Sequence, residues 1–333
     1  MPSLPDPRGE LSAYLLDALR RPVPAMAPAP VVDVDDPLAD DDLQLALYCC
    51  YELHYRGFDG IDERWEWEPA LLAFRARLEQ PFEAALREAV PPQPAIPAGD
   101  SDCALRAIAD GDDGPSLSLH LARDGTIEQL LEFVVHRSAY QLKEADPHSW
   151  ALPRLDGPPK GALVEVQADE YGGGRPDRIH ARLFAGSMAA LGLDPAYGAY
   201  LDRIPGVTLA TVNLMSLLGL HRRLRGAIVG HLALFEMTSS IPNRRYGDAL
   251  RRLGCDGAAT EFFDEHVEAD AVHENIAAVD LAGGLIRQDA ALAPDVLFGA
   301  AALMELDRRW SSWLLGRWDA GLSSLRSAAP AAA

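Results

Sequence analysis

Residues 265–274 read EHVEADAVHE, and within them His266, Asp270 and His273 are spaced H-x3-D-x2-H. At 100° per residue, the second and third side chains fall about +40° and −20° from the first, so all three share one narrow stripe of an α-helix. Two imidazoles and a carboxylate on such a stripe suit a first-row transition metal. An acidic surface helix is the competing reading, because Glu261, Asp264, Glu265, Glu268 and Glu274 crowd the same segment. Outward from this stretch the helical period persists from Gly125 to about Trp318. Ile127, Leu130, Leu131 and Val134 follow one face, and Leu232, Phe235 and Met237 follow another. A strand-like alternation is confined to Ser116–Leu121. The fold class is all-α, with one main bundle.

Two further stretches carry metal-capable side chains. In VEVQADEYGGGRPDRIH (164–180), Glu170 and His180 are ten residues apart. An unbroken helix would leave them about 80° out of line. Gly172, Gly173 and Gly174 lie between them and Pro176 can restart a helix, so a kink could turn both toward one point. The same glycines would serve equally as a plain interhelical turn. They are not a phosphate-binding loop, since no Gly-Lys-Ser/Thr follows. In YQLKEADPH (140–148), Pro147 bends or breaks the chain beside Glu144, Asp146 and His148. On one helix Glu144 and His148 would be i,i+4 neighbours able to bond each other.

Three helices that each supply carboxylate or imidazole are how helical bundles build dinuclear iron or manganese sites. The runs YQLKEADPHSWALPRL (140–155), VEVQADEYGGGRPDRIHARLF (164–184) and EHVEADAVHE together resemble the haem-oxygenase-like diiron oxidases and oxygenases, also described as iron-containing redox enzymes. The resemblance covers roughly residues 100–320. It implies a haem-oxygenase-like helical bundle whose metal ligands and catalytic residues are Glu144 on the first core helix, Glu170 and His180 on the second, and His266, Asp270 and His273 on the third.

The same resemblance implies two Fe(II) ions (or manganese in their place), O2 as co-substrate, and an external electron donor. Three carboxylates against two ferrous ions leave a charge near +1, so a small amine- or carboxylate-bearing substrate is expected. N-oxygenation in a biosynthetic pathway leads the functional reading. Oxidative C–C cleavage or decarboxylation of an amino or fatty acid by the same site is the alternative, and a non-catalytic metal-binding or helical scaffold protein stands behind both. Tyr171, His231 and Glu236 are pocket candidates. His231 and Glu236 are five apart, about 140° on a straight helix, and do not both face the metals. Glu236 is the preferred one, because an acid amid Leu234, Phe235 and Met237 needs a partner.

The remaining sequence bounds the setting. With 333 residues, 30 Lys and Arg against 50 Asp and Glu give a formal charge of −20, which disfavours nucleic acid and anionic membrane as partners. Cys49, Cys50, Cys103 and Cys255 suit neither a disulfide framework nor a zinc knuckle, and reduced thiols in a cytoplasm are expected. The N-terminus does not read as a signal peptide. The longest apolar run, Val207–Leu220, is interrupted by Thr208, Thr211, Asn213 and Ser216 and reads as a buried core helix rather than a membrane span. The expected organisation is an N-terminal helix and Pro/Ala/Asp-rich tether over 1–42, auxiliary helices over 43–100, the diiron domain over 101–325 and a loose tail over 326–333. The segment YCCYELHYRGFDGIDERWEWEP (48–69) is dense in aromatics and reads as a packing or homodimer face. Arg222, Arg223 and Arg225 form either an anion site or a helix-end charge cluster.

Overall fold

The computed structural model describes residues 1–327, apart from the side chains of residues 268–272. Its elements are α1 (Glu10–Leu19), α2 (Asp41–Glu52), α3 (Pro69–Ala89), α4 (Ser101–Asp110), α5 (Leu117–Arg123), α6 (Ile127–Gln141), α7 (Asp146–Ser149) and α8 (Gly157–Glu170). After these come α9 (His180–Ala190), α10 (Gly206–Leu220), α11 (Arg225–Arg252), α12 (Glu261–Asn275), α13 (Gly283–Gln288) and α14 (Ala293–Asp319). A π-helical stretch, Ile276–Ala282, joins α12 to α13. No strand occurs among the described residues. Ser116–Leu121, the strand-like alternation, is helical instead. Leu117 and Leu121 sit four apart and are both buried, and the Ser116 hydroxyl caps the helix by accepting from the Leu119 N–H.

The two longest helices, α11 and α14, form the axis of the bundle. Their backbones nearly touch. A Cβ on Gly230 would lie 1.7 Å from the Val296 carbonyl oxygen, and one on Gly299 would lie 1.8 Å from that of Ala227. Against this axis α10 buries almost its whole surface, its few polar side chains included: Asn213 Nδ2 donates to the Gln44 carbonyl at 2.9 Å. α2 packs on α10, and α12 with the π stretch packs on α11.

The N-terminal elements are part of this packing. Asp40 caps α2 by accepting from the Asp42 and Leu43 N–H groups. Asp42 in turn accepts from the Leu11 and Ser12 N–H groups at 2.8 Å, closing the start of α1. In the aromatic-dense segment Tyr48, Tyr51, Phe58 and Trp65 turn inward, whereas Trp67 is exposed. Among the described residues, no helix is long and apolar enough to cross a membrane.

Candidate metal centre

Glu144, Glu170 and His180 sit where a helix stops or starts, and His266 and His273 sit on α12, which packs against α11. Glu144 lies in the break between α6 and α7, so it is not on one helix with His148. The break is made by Ala145, whose φ of +71° is the one positive value at a non-glycine among the described residues. That conformation costs of order 1–3 kcal/mol and persists only where the surroundings enforce it. Here Ala145 is buried, and its carbonyl accepts from Gln167 Nε2 at 3.0 Å. Asp146 then starts α7, with Pro147 in its first turn.

Glu170 is the last residue of α8 and His180 the first of α9. Between them Gly172, Gly173 and Gly174 all take positive φ, and a Cβ on Gly172 would lie 2.6 Å from the Arg178 carbonyl carbon. The tight reversal brings Glu170 Oε2 to 2.9 Å from His180 Nδ1.

From α12, His266 presents Nε2 3.5 Å from Glu144 Oε1, and its ring centroid lies 4.4 Å from that of His180. Its Nδ1–H donates to the Phe262 carbonyl at 2.8 Å, which fixes the tautomer and leaves the Nε2 lone pair for the cluster. About two turns further along α12, His273 places Nδ1 3.3 Å from Glu236 Oε2 of α11, while its Nε2–H donates to Asp169 Oδ2 at 3.0 Å. A carboxylate on the far nitrogen is the usual support of a metal-binding imidazole. The Asp270 carboxylate lies outside the described residues.

These atoms form two overlapping groups in which all potential ligand atoms lie within 4.8 Å of one another: Glu144, Glu170, His180 and His266, and then Glu170, Glu236 and His273. Glu170 belongs to both. Two ligands at right angles on one first-row ion, with bonds near 2.1 Å, stand roughly 3 Å apart. The observed 2.9, 3.3 and 3.5 Å separations are close to that.

Four buried atoms of the cluster, Glu144 Oε2, Glu170 Oε2, His180 Nδ1 and His273 Nδ1, have no aligned hydrogen bond although their neighbours are near. Buried polar atoms rarely stay that way unless something else occupies their lone pairs. The electrostatics agree. Burial pulls the His273 imidazole down, yet Glu236, Asp169 and Glu170 outweigh it and hold its pKa up at about 9. His180 is likewise raised, against burial, by Glu170. Three buried carboxylates, Glu144, Glu170 and Glu236, call for positive charge beside them, which a bound cation would supply. Hard carboxylates mixed with imidazoles fit iron or manganese.

The pocket candidates separate. Glu236 joins the cluster. Tyr171 points elsewhere, its hydroxyl donating to Asp146 Oδ1 at 2.9 Å. His231 sits behind the site, with Nδ1 3.1 Å from His148 Nε2, and burial holds His148 down at about pKa 4. His148, Tyr140, Phe235 and Leu232 line a closed cavity over the ligands with about 10 Å³ of room, hardly one water. Beyond His180 a second cavity of about 460 Å³ is walled by Asp169, Gly172, Gly173, Arg175, Arg178 and Glu265. Asp169 stands beside Glu170 at the end of α8, and its position next to a candidate ligand is the one mark it carries in the sequence. Arg223 and Arg225 pair with Glu83 and Asp289, which accounts for two of the three arginines in that cluster.

Two comparisons bear on the centre. The profile of a family described as iron-containing redox enzyme matches residues 131–308, from within α6 to within α14. A nitrosourea synthase of Streptomyces achromogenes subsp. streptozoticus is 30% identical over 138 residues, which are 41% of this chain and 29% of that protein. The match thus spans less than a third of the relative.

Proposed function

Because this chain belongs to the iron-containing redox enzyme family, we propose that its buried cluster holds two iron ions and that the protein is an O2-dependent N-oxygenase of a small amine in a biosynthetic pathway. The observation that carries this reading is the pair of ligand groups sharing Glu170. Glu144, His180 and His266 would hold one ion, His273 and Glu236 the other, with Glu170 between them and Asp270 as a further ligand of the second. When bound, two ferrous ions would supply the electrons and the Lewis acidity that O2 reduction needs.

The chain's own residues do the rest. Phe262 and Asp169 fix the tautomers of His266 and His273, so each ring offers its lone pair inward. Tyr140, Leu232 and Phe235 keep water off the ligands. In the open cavity beyond His180, Arg178 and Glu265 pair with each other, while Arg175 and the exposed carboxylate of Asp169 supply a cation and an anion for a substrate with both an acidic and an amine end. Placing one oxygen atom on the amine nitrogen and releasing the other as water consumes two electrons from an external donor. The matched nitrosourea synthase, named for a product with nitrogen–nitrogen bonding, supports a nitrogen-centred outcome.

The test is to load the chain anaerobically with Fe(II), count the metal and add O2 with a panel of amino acids and amines. Two irons per chain and a product heavier by one oxygen are expected. A carbon–carbon cleaved or decarboxylated product would replace N-oxygenation by the other oxidation. Iron-replete protein that consumes no O2 with any substrate would refute an oxygenase.

A further inference from the structure

The segment that carries Glu144 is gripped from outside the family-matched residues. Lys143 Nζ donates to Glu52 Oε2 at 3.0 Å, with side chains 1% and 0% exposed. The Tyr197 hydroxyl donates to the same Glu52 oxygen at 2.6 Å, and the rings of Tyr48 and Tyr55 face the ammonium at 4.6 and 4.4 Å. Just past the end of α2, Arg56 Nη2 donates to the Leu142 carbonyl at 3.0 Å and lies 3.9 Å from Asp146 Oδ2. Three contacts therefore bracket Glu144: at Leu142 and Lys143 before it, and at Asp146 after the left-handed Ala145.

A buried ion pair is poor evidence of added stability, because desolvation offsets most of its attraction. Holding one backbone conformation is the better explanation. The left-handed Ala145 needs such a hold.

We propose that Glu52 and Arg56 are positioning residues for the metal centre: through Lys143, Leu142 and Asp146 they fix the chain at Ala145 and aim the Glu144 carboxylate at His266. The inference rests on Glu144 being a metal ligand, as in the function proposed above. It gives α2, which precedes the family-matched segment, a part in the chemistry.

The experiment is an anaerobic ferrous titration of the full chain, with iron counted per chain and the ligand field read by near-infrared circular dichroism. The Glu52→Gln/Lys143→Met double variant removes both buried charges together. It is expected to keep the wild-type far-ultraviolet spectrum while one iron position weakens about tenfold or more and its ligand-field bands move. Arg56→Ala, at a half-exposed side chain, loosens the Leu142 and Asp146 contacts without stranding a buried charge, so it decides the matter if the double variant does not fold. Wild-type affinities and unmoved bands in the folded variants would overturn the positioning role. A wild-type chain that takes up no iron would instead overturn the functional reading beneath it.

Discussion

His136 has its ring sealed in the core, with Nδ1 2.7 Å from the Thr208 hydroxyl and Nε2 3.0 Å from that of Ser324. Burial pushes its pKa down to about 3. In the unfolded chain the same imidazole titrates near 6.5. Below that value the unfolded state binds a proton the native state refuses. The stability His136 contributes is therefore present above pH 6.5 and is lost as pH falls toward 3, by about 1.4 kcal/mol per unit. His136→Gln keeps a polar contact and removes the proton. Urea unfolding between pH 6 and 5 should show a slope shallower by about that amount, and an unchanged slope would contradict the assignment. At this scale the candidate metal centre is partly legible in the sequence. Histidines and carboxylates of the right chemistry are legible as letters. Nothing local, however, separates His136 and His231, which serve as satisfied core groups, from His266 and His273.

Among the elements, the α8–α9 turn makes the sharpest demand. Gly172 and Gly173 both take positive φ, but only Gly172 is hemmed in by the Arg178–Ile179 backbone; a Cβ on Gly173 meets nothing within 4 Å. Gly173→Ala should thus cost about 1–2 kcal/mol of stability, the strain of a left-handed alanine, with iron affinity unchanged. Gly172→Ala must also move the start of α9, and with it His180. It should lose more stability and bind iron less tightly. Thermal unfolding and ferrous titration of the two variants measure this, and equal effects would refute it. The glycine run announced a reversal in the sequence because only glycine takes these angles freely. Pro147 announces a break beside Glu144, but not that Ala145 is the residue that turns left-handed, since alanine ordinarily continues a helix. Ser116–Leu121 misled in the other direction: three leucines at every second position fit a strand pattern, yet Leu117 and Leu121 also fit one helical face.

For the molecule as a whole, Glu144, Glu170 and Glu236 converge in one buried place, and their mutual repulsion would be relieved by bound cations. Ferrous iron at a hundred times its dissociation constant should stabilise the native chain by about 2.7 kcal/mol. The expected readout is a melting temperature several degrees higher under anaerobic conditions, accompanied by proton release and reversed by a chelator. A melting temperature indifferent to saturating iron would argue against the centre. The sequence by itself determined the helical class, through the 3.6-residue period, and the donor chemistry of three separated stretches, because both are properties of a chain segment with itself. The tertiary structure alone decided that Glu236 of α11 completes the second ligand group, that Tyr171 points away, and that α2 reaches across to the Glu144 segment. Those relations depend on how closely distant backbones approach, as where Gly230 and Gly299 let α11 and α14 touch. No local pattern records such a distance, because it is set by the packing of the whole chain.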